Sequence, residues 1–331
     1  MGLPEHKLTA FNYIYIFQKT INLKKMKQRT IKSIFQVLTL GGIFSVLVAG
    51  NCNKNDDAPL PPIGGYNNSN EVAATNLIAQ WTFEGNGTES KTSTAPESSN
   101  GVTFTTTGIK GKAATLTNGY IKYPAIAGLT TTVSAYTVSA WVKISNNQTS
   151  TPGSGTASTI FSLSRPNEWI GNINLFAETG QALAANDSIK VKQGFGSSVS
   201  GTQIYENFTK LEPWMIADNL ITPGKHVAGP NKIAGQWAHL VATWSGSDNK
   251  FIIYSNGVKI SSPAFEVRGT NTTLVFNTPS FAYIGAFGNV TTTTDTWNKP
   301  MTGSIDEIRF FNKALTLSEI DALYQLEKAG R

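Results

Sequence analysis

The chain has 331 residues, 40% of them hydrophobic and only 15% charged, so a wholly disordered protein is excluded and a sizeable core is available. The formal charge of +6 is local: residues 1–51 hold seven of the 27 bases and one of the 21 acids, which leaves 20 of each beyond them. A nucleic-acid surface resting on net basic charge is therefore excluded for the rest of the chain, and the single cysteine excludes an internal disulfide.

The N-terminal region reads as an address. Lys24, Lys25, Lys27, Arg29 and Lys32 precede an apolar run from Ile34 to Ala49, with small residues at its end. A basic start and such a run describe a signal segment, and the run is shorter than the ~20 residues a spanning helix needs. Either Met1 or Met26 can be the true start, Met26 giving the more ordinary signal opening. Ala49-Gly50-Asn51-Cys52 resembles the bacterial lipobox, apart from Asn51, where a smaller residue is usual. The resemblance implies lipidation at Cys52, a plain signal peptide with an incidental cysteine being the alternative. Asn53-Lys54-Asn55-Asp56-Asp57 resembles the export signal of Bacteroidetes surface lipoproteins. It implies a lipid-anchored protein exposed at the cell outer membrane. Residues 52–76, rich in Pro, Gly, Asn and Asp without apolar period, read as a flexible tether.

Beyond residue 77 the pattern is that of strands. Ala79, Trp81 and Phe83 alternate, as do Val138, Ala140, Val142 and Ile144, with Trp141 on the opposite face. Residues 237–244 are rich in β-formers. Asn256-Gly257 between residues 250–255 and 258–260 is a strong hairpin signal. Segments 281–285 and 303–311 complete the series. Many short strands with polar turns predict an all-β sandwich or barrel. Thr316 followed by Glu319 forms a capping box, and Leu317, Ile320, Leu323 and Tyr324 then predict one C-terminal helix.

In this order the segments resemble the laminin G-like, concanavalin A-like jelly-roll domains of bacterial surface proteins. The resembling pieces are residues 79–87, 108–116, 137–143, 235–243, 253–257 and 303–315. The resemblance implies an antiparallel two-sheet jelly roll over 77–326, with a long insertion around 145–234 and a tail at 327–331. It also implies a structural calcium ion (Ca2+) joining the first turn to the last strand, with Glu84, Asn86 and Asp306 at the acidic and polar positions. Zinc is disfavoured, because the histidines are scattered and Cys52 lies outside the domain.

Sugar-cleaving domains of this fold carry paired carboxylates on one strand face. No such pair stands here: Asp306 and Glu307 are adjacent, so a strand sends them to opposite faces, while Glu319 and Asp321 fall in the predicted helix. His239 sits mid-strand and reads as a structural hydrogen-bonding residue. The expected function is non-catalytic binding at the cell surface, with a glycan or polysaccharide as partner. A protein-binding adhesion module is the alternative, followed by a glycan hydrolase or lyase with an atypical site. Lectin-like surfaces stack sugars on aromatic faces beside polar groups. Trp169, Trp214 and Trp297 lie outside the strand motifs, and Asn172 and Asp295 stand near two of them, so these five are the candidate ligand contacts.

Overall fold

The computed structural model describes residues 60–104, 108–129, 132–151, 153–198, 203–209 and 231–331. The chain divides into two units, Met1–Pro59 and Leu60–Arg331, and every described residue belongs to the second. The signal segment, Cys52, Trp214 and His226 lie outside the described residues.

The described residues form thirteen strands and one α-helix. The strands are β1 (Leu77–Trp81), β2 (Ser98–Phe104), β3 (Ala114–Lys122), β4 (Ala135–Lys143), β5 (Ser158–Arg165), β6 (Glu168–Ala177) and β7 (Val191–Ser197). They continue with β8 (Gln203–Phe208), β9 (Trp237–Ser245), β10 (Lys250–Ser255), β11 (Val258–Lys259), β12 (Ala282–Ile284) and β13 (Met301–Phe311), before α1 (Leu317–Lys328). One antiparallel hydrogen-bonded path runs β11-β10-β9-β4-β13-β3-β12-β5-β6-β7-β8, with β1 paired to β13 and β2 to β3.

This path curls until its two halves face each other across one core. Phe161 of β5 meets Phe310 of β13 at 6.0 Å between ring centroids. Phe195 of β7 meets Trp244 of β9 at 5.3 Å and Phe251 of β10 at 5.1 Å. Polar groups tie the same seam: Gln193 donates to the carbonyls of Thr243 and Ile252, and Asn207 donates to that of Phe251. Burial of these large apolar side chains, at about 1.5–3 kcal/mol each, is the main stabilising term. β13 makes the corner: Met301 to Ile305 pair with β3, while residues 304–311 pair with β4 along the other edge.

The expected all-β fold with a C-terminal helix is the fold observed. The Asn256-Gly257 turn has positive φ at both residues, +51° and +78°, which a two-residue hairpin of this hand requires. The predicted insertion is different in kind. Residues 145–234 supply β5, β6, β7 and β8, which make up much of one half of the curled sheet. β5 is buried at every position, so it lacks the period-two alternation that marks a half-exposed strand.

The second face of the β13-β4-β9 region is covered by α1 through a buried polar clasp. Arg309 on β13 donates to Glu327 of α1 at 2.7 Å and to Glu307 at 2.8 Å. Trp141 Nε1 donates to the other Glu327 oxygen at 2.8 Å. Arg309 also reaches Asn70 and Ser69, at 2.9 and 3.0 Å, and Val72 packs with Ile320, Leu323 and Leu326. Residues from Leu60 onward are thus part of the compact unit, which begins earlier than the predicted boundary at residue 77. The expected tail is also shorter, since α1 runs to Lys328 and buries Leu326 and Glu327. Thr316 and Glu319 form the expected capping box, whereas Leu317 points outward and is 56% exposed.

Candidate functional site

The site is built where β6 breaks its register. Leu163 pairs with Ile173 but Arg165 pairs with Glu168, so β6 bulges between those rungs. Asn174 clips the bulge by accepting from the Gly171 N–H and donating back to the Gly171 carbonyl. The bulge turns Trp169 back toward Phe176 of the same strand, 6.4 Å away in edge-to-face geometry.

The loop between β12 and β13 supplies the opposite wall. Trp297 stands edge to face against Trp169, with centroids 5.5 Å apart and planes at 87°. The Trp297 carbonyl accepts from the Ala157 N–H at 3.0 Å, which fixes the loop to the start of β5. Phe176 lines the cleft, and Phe287 packs against it and against both indoles. Both tryptophans remain partly exposed. Such edge-to-face pairs add about 0.5–1.5 kcal/mol beyond their burial, so they hold the walls without ligand.

The resulting cleft has a volume of about 460 Å3. Its polar side carries Glu178, Gln181 and Lys192. Glu178 pairs with Lys192 at 2.7 Å and with Lys190. The Lys192 ammonium also lies 5.3 Å from the Phe176 ring centre and 4.3 Å from that of Phe208. Lys190 donates to the Gln181 side-chain amide oxygen, Oε1, at 2.5 Å. The rim is backbone: a Cβ at Gly155 would fall 2.4 Å from the Gly180 Cα, so only glycine permits these two loops to meet. An open aromatic wall beside a fixed row of charged and amide groups is suited to a flat, hydroxyl-rich ligand.

The expected ligand contacts separate into distinct roles. Trp169 and Trp297 come together in the cleft. Asp295 is exposed two residues before Trp297, next to the lining residue Thr296. Asn172 is fully buried. Its amide donates to the carbonyls of Ser164 and Asn277 and to Ser280 Oγ, and accepts from the Asn277 N–H. Asn172 therefore braces the bulge from behind and has no free group for a ligand. Phe176, Glu178, Gln181 and Lys192 were not expected from sequence. They lie in the stretch taken for an insertion, where an aromatic next to a charged pair carries no periodic signal.

The three expected metal ligands are spent on the backbone. Asp306 is buried and accepts from the N–H groups of Ile109, Lys110 and Glu307 at 2.8, 3.1 and 2.8 Å. Burial nonetheless pushes its carboxyl up to about 8. Glu84 accepts from the Lys112 N–H with both oxygens, and Asn86 accepts from the Thr88 N–H. The segment 108–112 is therefore held between two carboxylates. Calcium takes six to eight converging oxygens. Among the described residues no group of three or more His, Cys, Asp or Glu side chains converges, and here the three candidate ligands turn their oxygens to backbone N–H groups.

Comparison with known proteins bears on the whole fold. Residues 213–321 match the family model of the concanavalin A-like lectin/glucanases superfamily. The match takes in 109 of the 331 residues and marks a similarity of that stretch. The binding domain of botulinum neurotoxin serotype G superposes with a TM-score of 0.50 at 14% identity, over 76% of this chain and 51% of that one. The binding domain of Paraclostridial Mosquitocidal Protein 1 gives 0.48 at 16%, over 76% and 52%. Domain 4 of AbnA, a GH43 extracellular arabinanase from Geobacillus stearothermophilus solved with arabinotriose, gives 0.44 at 23%, over 76% and 98%. The neurotoxin match supports the all-β fold alone, and the chain spans about half of either toxin binding domain. Comparison with curated proteins returns no match.

Proposed function

We propose that this lectin/glucanase-like domain is a cell-surface carbohydrate-binding module that takes a glycan in the Trp169–Trp297 cleft. The observation that carries the reading is the meeting of two partly exposed indoles, from β6 and from the loop before β13, beside Glu178, Gln181 and Lys192. Sugars offer apolar C–H faces for the indoles and hydroxyls that both donate and accept hydrogen bonds, which matches an aromatic wall facing mixed polar groups. The family match to lectins and glucanases supports the same class of ligand. Lipidation at Cys52 anchors the module at the outer membrane in this reading.

Affinity gel electrophoresis of the purified chain through a panel of plant, algal and host polysaccharides tests it. Retardation by at least one polymer is expected, with loss of that retardation in Trp169→Ala and Trp297→Ala. Retardation unchanged in both variants removes the cleft from the account. No retardation by any polymer favours a protein partner.

A further inference from the structure

Two properties of the aromatic cleft narrow its ligand: the angle between its indoles and the balance of its charges. The planes of Trp169 and Trp297 stand at 87°, with centroids 5.5 Å apart. A crystalline polysaccharide presents its sugar rings in one plane, so the aromatic side chains that grip it must lie in one plane too. Perpendicular indoles share no such plane, and these two line a concavity of about 460 Å3. A single glycan chain can enter a concavity and set one ring against an indole face while its hydroxyls meet the polar side.

The charged groups at the cleft neutralise one another. Among the described residues, Glu178 and Lys192 are the charged side chains that line it. They pair at 2.7 Å, with side chains only 12% and 11% exposed. Lys190 pairs with the other Glu178 oxygen, and Glu206 stands 3.7 Å from Lys192. Two cations are thus set against two anions. Next to Trp169 in sequence, Glu168 pairs with Arg165 at 3.4 Å. On the opposite wall Asp295 and Lys299, both exposed, flank Trp297 two residues to either side. A carboxylate or sulfate on a sugar would shed water here and meet a lysine already held by a glutamate. Its desolvation would go uncompensated, and the like charge of Glu178 would repel it. Hydroxyls carry no such penalty, since they both donate and accept hydrogen bonds without bringing a charge.

We propose that the ligand of this cleft is a single, uncharged glycan chain, and that the cleft rejects both crystalline polysaccharide faces and polyanions such as polyuronates and sulfated glycans. The inference deepens the glycan reading of the Trp169–Trp297 cleft and rests on it.

The test is native affinity electrophoresis of the full chain through soluble neutral polymers (arabinan, xylan, glucomannan and mixed-linkage glucan) and through polygalacturonate, alginate and carrageenan. Depletion by microcrystalline cellulose and chitin powders is measured beside it. At least one neutral polymer retards the chain, with an affinity about tenfold or more above that for any polyanion. That retardation holds when salt rises from about 0.01 M to about 1 M, which shortens the Debye length from about 30 Å to about 3 Å. The powders leave the chain in solution. Glu178→Gln removes one anion and brings retardation by polygalacturonate at low salt that disappears at high salt. Retardation chiefly by a polyanion, or depletion by a powder, that Trp169→Ala abolishes overturns the uncharged single chain and leaves the cleft standing as a glycan site. A folded Glu178→Gln chain that stays as indifferent to polygalacturonate as the wild type overturns the rejection of polyanions by paired charge. Absence of binding to every polymer and powder overturns the glycan reading itself.

Discussion

Trp169 and Trp297 face each other at 5.5 Å in near-perpendicular geometry, one carried by a bulge in β6 and the other by the loop before β13. Their pairing converts two distant segments into one wall, and the edge-on arrangement leaves indole surface for a ligand. Phe176 and Phe287 beneath them make a small apolar cluster, together with Ala157, separate from the main core. The cleft floor therefore has its own packing, and the walls can be altered without opening the main core.

Lys192 joins the cleft to that packing, since it pairs with Glu178 and lies over Phe176 and Phe208. Lys192→Met keeps most of the stem and removes the ammonium. The expected result is roughly tenfold weaker binding of the retained polysaccharide, about 1.4 kcal/mol, with the circular dichroism spectrum unchanged. Full affinity in this variant shows that the charged row does not contact the ligand.

The α1 clasp predicts a stability defect with no site involvement. Glu327 is buried and takes hydrogen bonds from Arg309 and Trp141. Glu327→Ala leaves the Arg309 guanidinium buried with one fewer counter-charge, which costs on the order of 3–5 kcal/mol. Urea denaturation checks this. A loss below about 1 kcal/mol would mean that the helix is not fastened there.

His239 gives the pH dependence. It is fully buried, its Nε2 lies 2.7 Å from Ser139 Oγ, and burial, aided by the Arg309 charge, lowers it from 6.5 to about 3. Below pH 6.5 the unfolded chain takes up a proton at this residue and the folded chain does not, so acid favours unfolding. The loss amounts to about 2 kcal/mol at pH 5, at about 1.36 kcal/mol per pH unit. Glu327 works in the opposite direction, because its raised carboxyl, about 7, makes the folded state bind a proton first as pH falls. The contrast between wild type and His239→Gln at pH 7.5 and pH 5 isolates the histidine. The wild-type advantage should shrink at pH 5, and a pH-independent difference would contradict the assignment.

The backbone bonds of Asp306 and Glu84 predict indifference to calcium. Melting temperatures in millimolar calcium and in chelator should coincide. A rise with calcium that Asp306→Asn abolishes would show an ion bound to the folded state, and that these carboxylates turn from the 108–112 segment to hold it.

Fold and site were legible in the sequence to different depths, for physical reasons. β4 and β9, the Asn256-Gly257 hairpin and the capping box at Thr316 follow local rules that tertiary contacts reinforce. β5 hides its strand character because both of its faces are covered. Trp169 and Trp297 stood out as aromatics beyond the strand motifs, and they do share a cleft. Asn172, equally polar and nearby in sequence, is turned inward by the β6 bulge, which no residue pattern announces. Glu84 and Asp306 occupy conspicuous acidic positions, yet what their oxygens face depends on the turn at 108–112.

Indole Nε1–H resonances of the seven tryptophans, assigned by single substitution, report the site most directly when the chain is titrated with an oligosaccharide of the retained polymer. Trp169 and Trp297 should shift in a saturable manner, while Trp81 and Trp244, buried in the main core, stay in place. Saturable binding that leaves both Trp169 and Trp297 unmoved would contradict the account.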